Sequence, residues 1–418
     1  MTHPTRAPSV GRRLILGALP AAAVLAACGD VGGEIVVDLE WPIAQLPRAA
    51  IGFTATTFAD VPGPVVGNPR DLAALGALGA GAVRIHLAPR DGAVVSGARG
   101  GDRSIPAERW LRAYGELGLR PTVVVDLDRD AALAVLDAVR PYGVRRFVLG
   151  NEMDAHSRAD VGDAGYVRRF REIAAAMRRV DPHLEIGGPA TAHYEGLNDP
   201  LLRGLLDAPP AQRVSFVDFH AYGAGEGETA TPESALRYGP WLDALRERVA
   251  DPSVGLQVGE FNLNWADEPQ NNTQAQTVWV ATALATILSR GAVAFQYGDR
   301  SAAMGLTSDG VPMPSYWGIA MLTGAGLFRG IGTRMVAVHN PDPDVAAFAS
   351  AADPAVVLAH PGGRERAVRV RLRGYGGGSA HVWRSTAGRP ELIVVRPVTD
   401  QLELTLPPVS VTTVVLDP

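Results

Sequence analysis

Two stretches of the chain set the chemical question. "FVLGNEMDAHS" (147–157) and "VGLQVGEFNLNW" (254–265) are apolar runs of the kind that become buried strands, and each arrives at a carboxylic acid, Glu152 in the first and Glu260 in the second. An Asn-Glu pair and a second Glu supply two carboxyl groups that can hold different protonation states. One can give a proton to a leaving oxygen while the other, ionised, attacks carbon or activates water. The ends of the other apolar runs add Arg84 and His86, Asp126 and Asp128, His220 and Tyr222, and Tyr297 with Asp299; Trp265 follows Glu260 by five positions. Burying so many polar groups costs free energy unless they pair or act on something. Taken singly, His86 also fits a satisfied histidine at a barrel mouth. Asp126 and Asp128 read as loop or helix-cap acids. Trp265 and Tyr297 fit sugar stacking or plain packing equally well.

These residues need a frame that gathers strand ends at one place. Eight β-rich runs occur in order: 49–56, 81–88, 120–128, 145–152, 183–190, 214–222, 254–261 and 291–299. They are nearly continuously apolar, as strands buried on both faces are in a parallel sheet covered by helices. Helix signals lie between them. Asn68 is a candidate N-cap ahead of Pro69, and Ser104 and Thr231 are placed similarly. Val167, Phe170, Ile173, Ala174 and Met177 recur at helical spacing. Eight such units over residues 48–330 predict a (β/α)8 barrel, in which active-site groups sit at the C-terminal ends of strands. A doubly wound open sheet is the competing topology, but no Gly-rich phosphate loop follows the first run. Strands four and seven face each other across an eight-strand circle, which sets Glu152 against Glu260.

From residue 331 to 418 the rhythm changes to short strands with Gly, Pro and Asp turns and no helices, the pattern of an antiparallel β-sandwich. Residues 28–47 are a spacer and one strand, 34–44, which joins that sandwich and ties the two ends of the chain together. The sandwich strands alternate apolar and polar residues and carry no cluster of acids or histidines, so the chemistry is expected in the barrel.

The first residues read as a targeting segment. A basic stretch with Arg12-Arg13 precedes the apolar run 14–26, which is too short to span a bilayer, and Leu25-Ala26-Ala27-Cys28 resembles a bacterial lipobox. The arginine pair also resembles a twin-arginine signal, although Gly11 stands where Ser or Thr is usual. Residues 1–27 are thus expected to be removed, leaving Cys28 lipidated and the protein exported and anchored to the cell membrane. Cys28 is the single cysteine, so disulfides and thiolate ligands are not available to the rest of the chain. The formal charge of −5 gives no bulk attraction to nucleic acid, and the absence of Lys removes Schiff-base and P-loop chemistry. No HExxH, CxxC, GxSxG or closely spaced His pair occurs, and neither a metal nor a cofactor is expected.

In the order and placement of Asn151-Glu152, Glu260, Arg84, His220 and Tyr222, the chain resembles clan A of the glycoside hydrolases, the retaining (β/α)8 enzymes. The resemblance covers residues 48–418, and a barrel with a C-terminal sandwich looks most like the β-xylosidase, β-glucuronidase and arabinofuranosidase branches. It implies that Glu152 is the acid/base, Glu260 is the nucleophile and Asn151 binds the sugar 2-hydroxyl. Arg84 and Tyr222 would hold Glu260 ionised, and the substrate would be a glycoside, an oligosaccharide or a polysaccharide. Two features depart from the clan: Met153 stands where Pro usually follows the acid/base, and the loop "NLNWADEPQNN" after the nucleophile does not assign the chain to a branch. A transglycosylase would use the same residues, and a carbohydrate-binding lipoprotein on a decayed barrel is a third reading that predicts loss of a Glu or of Arg84.

Overall fold

The computed structural model describes residues 33–417 apart from 57–64, 97–103, 156–160, 267 and 302–303. Cys28 and the targeting segment therefore lie outside the described residues. Among the described residues no helix is long and apolar enough to cross a membrane.

Eight parallel strands close into a barrel. In order they are Ile51–Thr54, Ala82–Arg90, Arg120–Val125, Arg146–Leu149, Glu185–Thr191, Phe216–Ala224, Gly255–Asn264 and Val293–Tyr297, and the first pairs with both the second and the eighth. Each of the eight runs read from sequence overlaps one of these strands, although the second, fifth, sixth and seventh strands extend past the ends of their runs. Helices follow the strands and bury their apolar faces on the barrel. Leu75 and Leu78 of Pro69–Leu78, and Phe170, Ile173 and Met177 of Gly162–Val180, enter the main core.

Local signals explain the helix starts in part. Asn68 accepts from the backbone N–H of Arg70 and Asp71, and Asp128 caps Arg129–Val139 through Ala131 N–H at 2.8 Å. Ser104 does not cap. A two-residue strand, Ile105–Pro106, intervenes, and the helix Ala107–Glu116 starts after Pro106 without a side-chain cap. Thr231 precedes a 3₁₀ turn, Pro232–Arg237, without side-chain capping, and the α-helix begins only at Tyr238. Strand two also runs past His86 and turns back through Ala93–Ser96 as an antiparallel flap on the barrel wall.

The second body is one nine-stranded sheet built from residues 334–417 and Glu34–Gln45. The N-terminal strand lies inside it, antiparallel to Arg334–His339 and parallel to Arg366–Arg373, the sheet's one parallel pairing. The sheet curls over its own core of Val356, Val370, Leu402 and Val414. Arg384 and Arg396, toward one edge, donate to Thr405 O and Glu403 O of the strand at the other edge. The fold is thus a (β/α)8 barrel with a C-terminal sandwich-like domain.

Two barrel helices, Gln274–Leu288 and Pro314–Thr323, lie between barrel and sheet, which explains why they are apolar on every side. Gln274 accepts from Gly388 N–H at 2.7 Å, and Thr413 donates to Met321 O at 2.6 Å.

Candidate active site

Strand four ends at Leu149, and the chain then turns in a way that L-residues rarely adopt. Gly150 has φ +82° and Glu152 has φ +49°. Gly150 N–H donates to Val125 O at 2.8 Å and Glu152 N–H to Ala190 O at 2.7 Å, so the turn is tied to strands three and five. A non-glycine residue in this region costs about 1–3 kcal/mol and persists where its surroundings hold it, often at functional sites. Here that geometry positions the Glu152 carboxyl over the barrel mouth.

Glu260 arrives differently. It is not at the end of strand seven, as the apolar run suggested, but inside it, since Phe261–Asn264 continue the pairing with strand six. An irregularity between Val258 and Glu260 re-aims the side chain, as bulges near active sites do. Gly259 sits at that irregularity because a Cβ there would lie 2.4 Å from Asp218 Oδ1.

The side chains converge on Arg84, which is 2% exposed. Its Nη1 donates to Glu260 Oε1 at 2.5 Å and its Nη2 to Asn151 Oδ1 at 2.6 Å, while Nη2 also lies 3.1 Å from His220 Nε2. Tyr222 donates to the other oxygen of Glu260 at 2.8 Å. His220 Nδ1 is 2.9 Å from Glu152 Oε1 and 3.6 Å from Glu260 Oε2. A guanidinium can only donate, so His220 Nε2 is the acceptor in its contact with Arg84 and the ring carries its proton on Nδ1, toward the glutamates.

The titration of these groups follows from their surroundings. Burial opposes a second proton on His220, but the charge of Glu260 and the hydrogen bond to Glu152 outweigh it, and the histidine is raised from its ordinary value. Burial, then Glu260, pushes the Tyr222 hydroxyl well above the usual phenol range, so it stays a donor. One ligand atom each from Glu152, His220 and Glu260 lie within 4.8 Å of one another. Those donor types fit a cation in principle, yet Arg84 already sets positive charge against Glu260.

The structure thus brings together Glu152, Glu260, Asn151, Arg84, His220 and Tyr222. Tyr297 packs edge-on against Tyr222, with ring centroids 6.0 Å apart. His86 stands apart from that hydrogen-bonded set and faces Asp126, at 3.5 Å. Trp265, half exposed, lines a neighbouring cleft of about 480 Å³ with Tyr194, Tyr222, Arg237 and Trp241. Asp299 turns inward, accepting from Tyr114 OH at 2.6 Å and from Thr56 N–H at 2.9 Å.

Two participants were not singled out from the sequence. Arg237 donates to the backbone oxygen of Tyr222 and lies over the Trp241 ring. Asp218 is fully buried two positions before His220 on strand six, and burial raises it against the opposing pull of Arg84, His220 and Arg146. An acid embedded in the apolar run "VSFVDFHAY" was the available signal.

No family model matches the chain. A β-xylosidase of Geobacillus stearothermophilus is 27% identical over 248 residues, which cover 53% of this chain and 44% of that protein; the chain therefore spans less than half the length of this relative. Among solved structures, an α-L-arabinofuranosidase from Thermotoga maritima, in complex with arabinose, superposes with a TM-score of 0.73 at 15% identity, covering 91% of this chain and 99% of that one. A GH51 α-L-arabinofuranosidase from Thermotoga petrophila gives 0.69 at 16% identity over 92% and 100%. A monomeric β-xylosidase from Caulobacter crescentus gives 0.63 at 18% identity over 92% and 99%. At such identities these likenesses show the shared fold.

Proposed function

We propose that this protein is a retaining glycoside hydrolase that works by double displacement, with Glu152 as acid/base and Glu260 as nucleophile. The observation that carries the reading is the approach of the two carboxyl groups to one another and to His220, with one oxygen of each carboxyl and one His220 nitrogen all within 4.8 Å. Retaining enzymes hold them about 5–5.5 Å apart, whereas inverting ones need about 6.5–9.5 Å to admit a water.

The contacts fit the two roles. Both oxygens of Glu260 accept, from Arg84 and Tyr222, as suits an ionised nucleophile. Glu152 meets His220, whose ring can hold and orient its carboxyl through both proton transfers. In the first step Glu260 attacks the anomeric carbon while Glu152 protonates the departing oxygen. In the second, Glu152 takes a proton from water as that water displaces Glu260. Asn151, whose Oδ1 accepts from Arg84, would bind the sugar 2-hydroxyl in this reading. The names of the relatives direct the first substrates to xylosides and arabinofuranosides.

The deciding measurement is the anomer first released by wild type, followed by NMR before mutarotation. A retained anomer is expected; an inverted one would remove Glu260 from the role of nucleophile. Glu260→Ala should abolish turnover, and azide should restore it with an inverted glycosyl azide. With Glu152→Ala, azide should give a product of retained configuration on substrates with good leaving groups. Surface anchoring through Cys28 belongs to the same proposal. Detergent fractionation tests it, since Cys28→Ala should leave the membrane fraction and an unchanged distribution counts against the anchor.

A further inference from the structure

The strand Glu391–Val398 forms one edge of the nine-stranded sheet and, among the described residues, pairs on one side only, with Gly378–Ser385. Leu392, Ile393, Val394 and Val395 are 45%, 48%, 39% and 49% exposed. Among the described residues they form the one consecutive run of exposed large apolar side chains. Edge strands are usually blunted by charge or Pro within the edge. Here no charge interrupts the four, and Pro397 lies beyond them.

The register supplies the second observation. Arg384, Val382 and Ala380, alternate residues on one face of the neighbouring strand, oppose Glu391, Val394 and Arg396. Trp383 and His381 oppose Leu392 and Val395, and Ile393 is the extra residue of a bulge. Glu391 and Arg396 therefore share one face, and Leu392 and Val395 share the other. A two-fold axis perpendicular to the sheet keeps each face on its own side, so residues opposed across that axis must share a face. Placed between Ile393 and Val394, the axis sets Glu391 against Arg396 of the second copy, Leu392 against Val395, and Ile393 against Val394. Both ends of the paired run become opposite-charge contacts, and the apolar residues meet in the middle. The bulge is what allows this: without it, Glu391 and Arg396 would lie on opposite faces.

We propose that this edge strand pairs antiparallel with the same strand of a second copy of the chain, forming an isologous dimer through Glu391–Arg396. Such an interface repeats each contact by symmetry, so one substitution removes it twice. Like charges opposed across paired strands are destabilising where opposite charges are favourable.

Sedimentation equilibrium over a wide concentration series tests the proposal. Wild type should dimerise. Glu391→Arg and Arg396→Glu should each weaken the dimer about tenfold, because each sets like charges at both ends. The double swap should return to within about threefold of wild type. Val394→Lys should sediment as a monomer, with a circular dichroism spectrum and melting temperature close to wild type to show an intact fold. A wild type that stays monomeric across the series overturns the proposal. So does a dimer indifferent to all four variants, or one that the double swap fails to restore.

Discussion

At the scale of single residues, Arg84 is the hub, since one guanidinium meets Glu260, Asn151 and His220. Its planar fork can do this; a lysine ammonium keeps the charge but not the geometry. Arg84→Lys is therefore expected to lower kcat/KM more than Tyr222→Phe does. The latter removes one donor to Glu260 and should lower kcat by about 10²-fold, within the range for losing one preorganised donor. Steady-state kinetics on an aryl xyloside or arabinofuranoside would rank the two. Because burial and Glu260 hold the Tyr222 hydroxyl well above the ordinary phenol range, its ionisation should contribute no alkaline limb to the wild-type pH profile near the usual tyrosine value. The polar residues that meet here were legible because each interrupts or ends an apolar run. Asp218 interrupts its run in the same way but stands short of the run's end, and a single sequence does not reveal that Gly259 leaves room for its carboxyl.

At the scale of elements, strand eight and its loop are held by buried acids. Asp299 is pushed up to about 6 by burial, against the hydrogen bonds from Tyr114 and Thr56 that favour its ionised form. Asp71, fully buried, pairs with Arg300 at 2.8 Å and accepts from Gly310 N–H. The folded state thus binds a proton at Asp299 more tightly than the unfolded state, where the value is 3.8. Its stabilising contribution is full below the unfolded value and is lost as pH rises toward and through about 6. Wild type should lose up to about 3 kcal/mol from this group between pH of about 4 and about 7, and Asp299→Asn should not. Urea unfolding of both proteins at the two pH values reads the difference. Strand seven offers a steric counterpart. Gly259→Ala drives a Cβ into the Asp218 carboxyl and should cost about 1–3 kcal/mol while displacing Glu260, so melting temperature and kcat should fall together. The barrel strands were legible from their apolar runs, but their ends were not. Strand seven continues past Glu260 because Phe261–Asn264 find partners on strand six, a tertiary pairing that local sequence does not encode.

At the scale of the whole molecule, the sheet and the barrel share one core. Met335, Phe348, Val357 and Val411 of the sheet belong to the same buried cluster as Trp279, Leu284 and Ile319 of the two intervening helices. Those helices carried a signal of this arrangement, since an amphipathic barrel helix keeps a polar outer face and neither of these carries a single charged residue. The sheet therefore acts as the outer wall of that side of the barrel. Removing it, with a chain ended near Gly330, would uncover the apolar backs of both helices and leave Gln274 without Gly388 and Ser385. Such a fragment should be insoluble or bind hydrophobic dyes, whereas a soluble and fully active one would contradict a shared core. A milder perturbation reads the same coupling in the full chain. Phe348 is completely buried at the junction, far in sequence from both glutamates, and Phe348→Ala should cost about 3–5 kcal/mol. If barrel and sheet unfold as a unit, calorimetry should record one transition moved to lower temperature, and loss of activity on heating should follow that transition. Two separated transitions, with activity tracking only the upper one, would mean that the barrel stands without its wall.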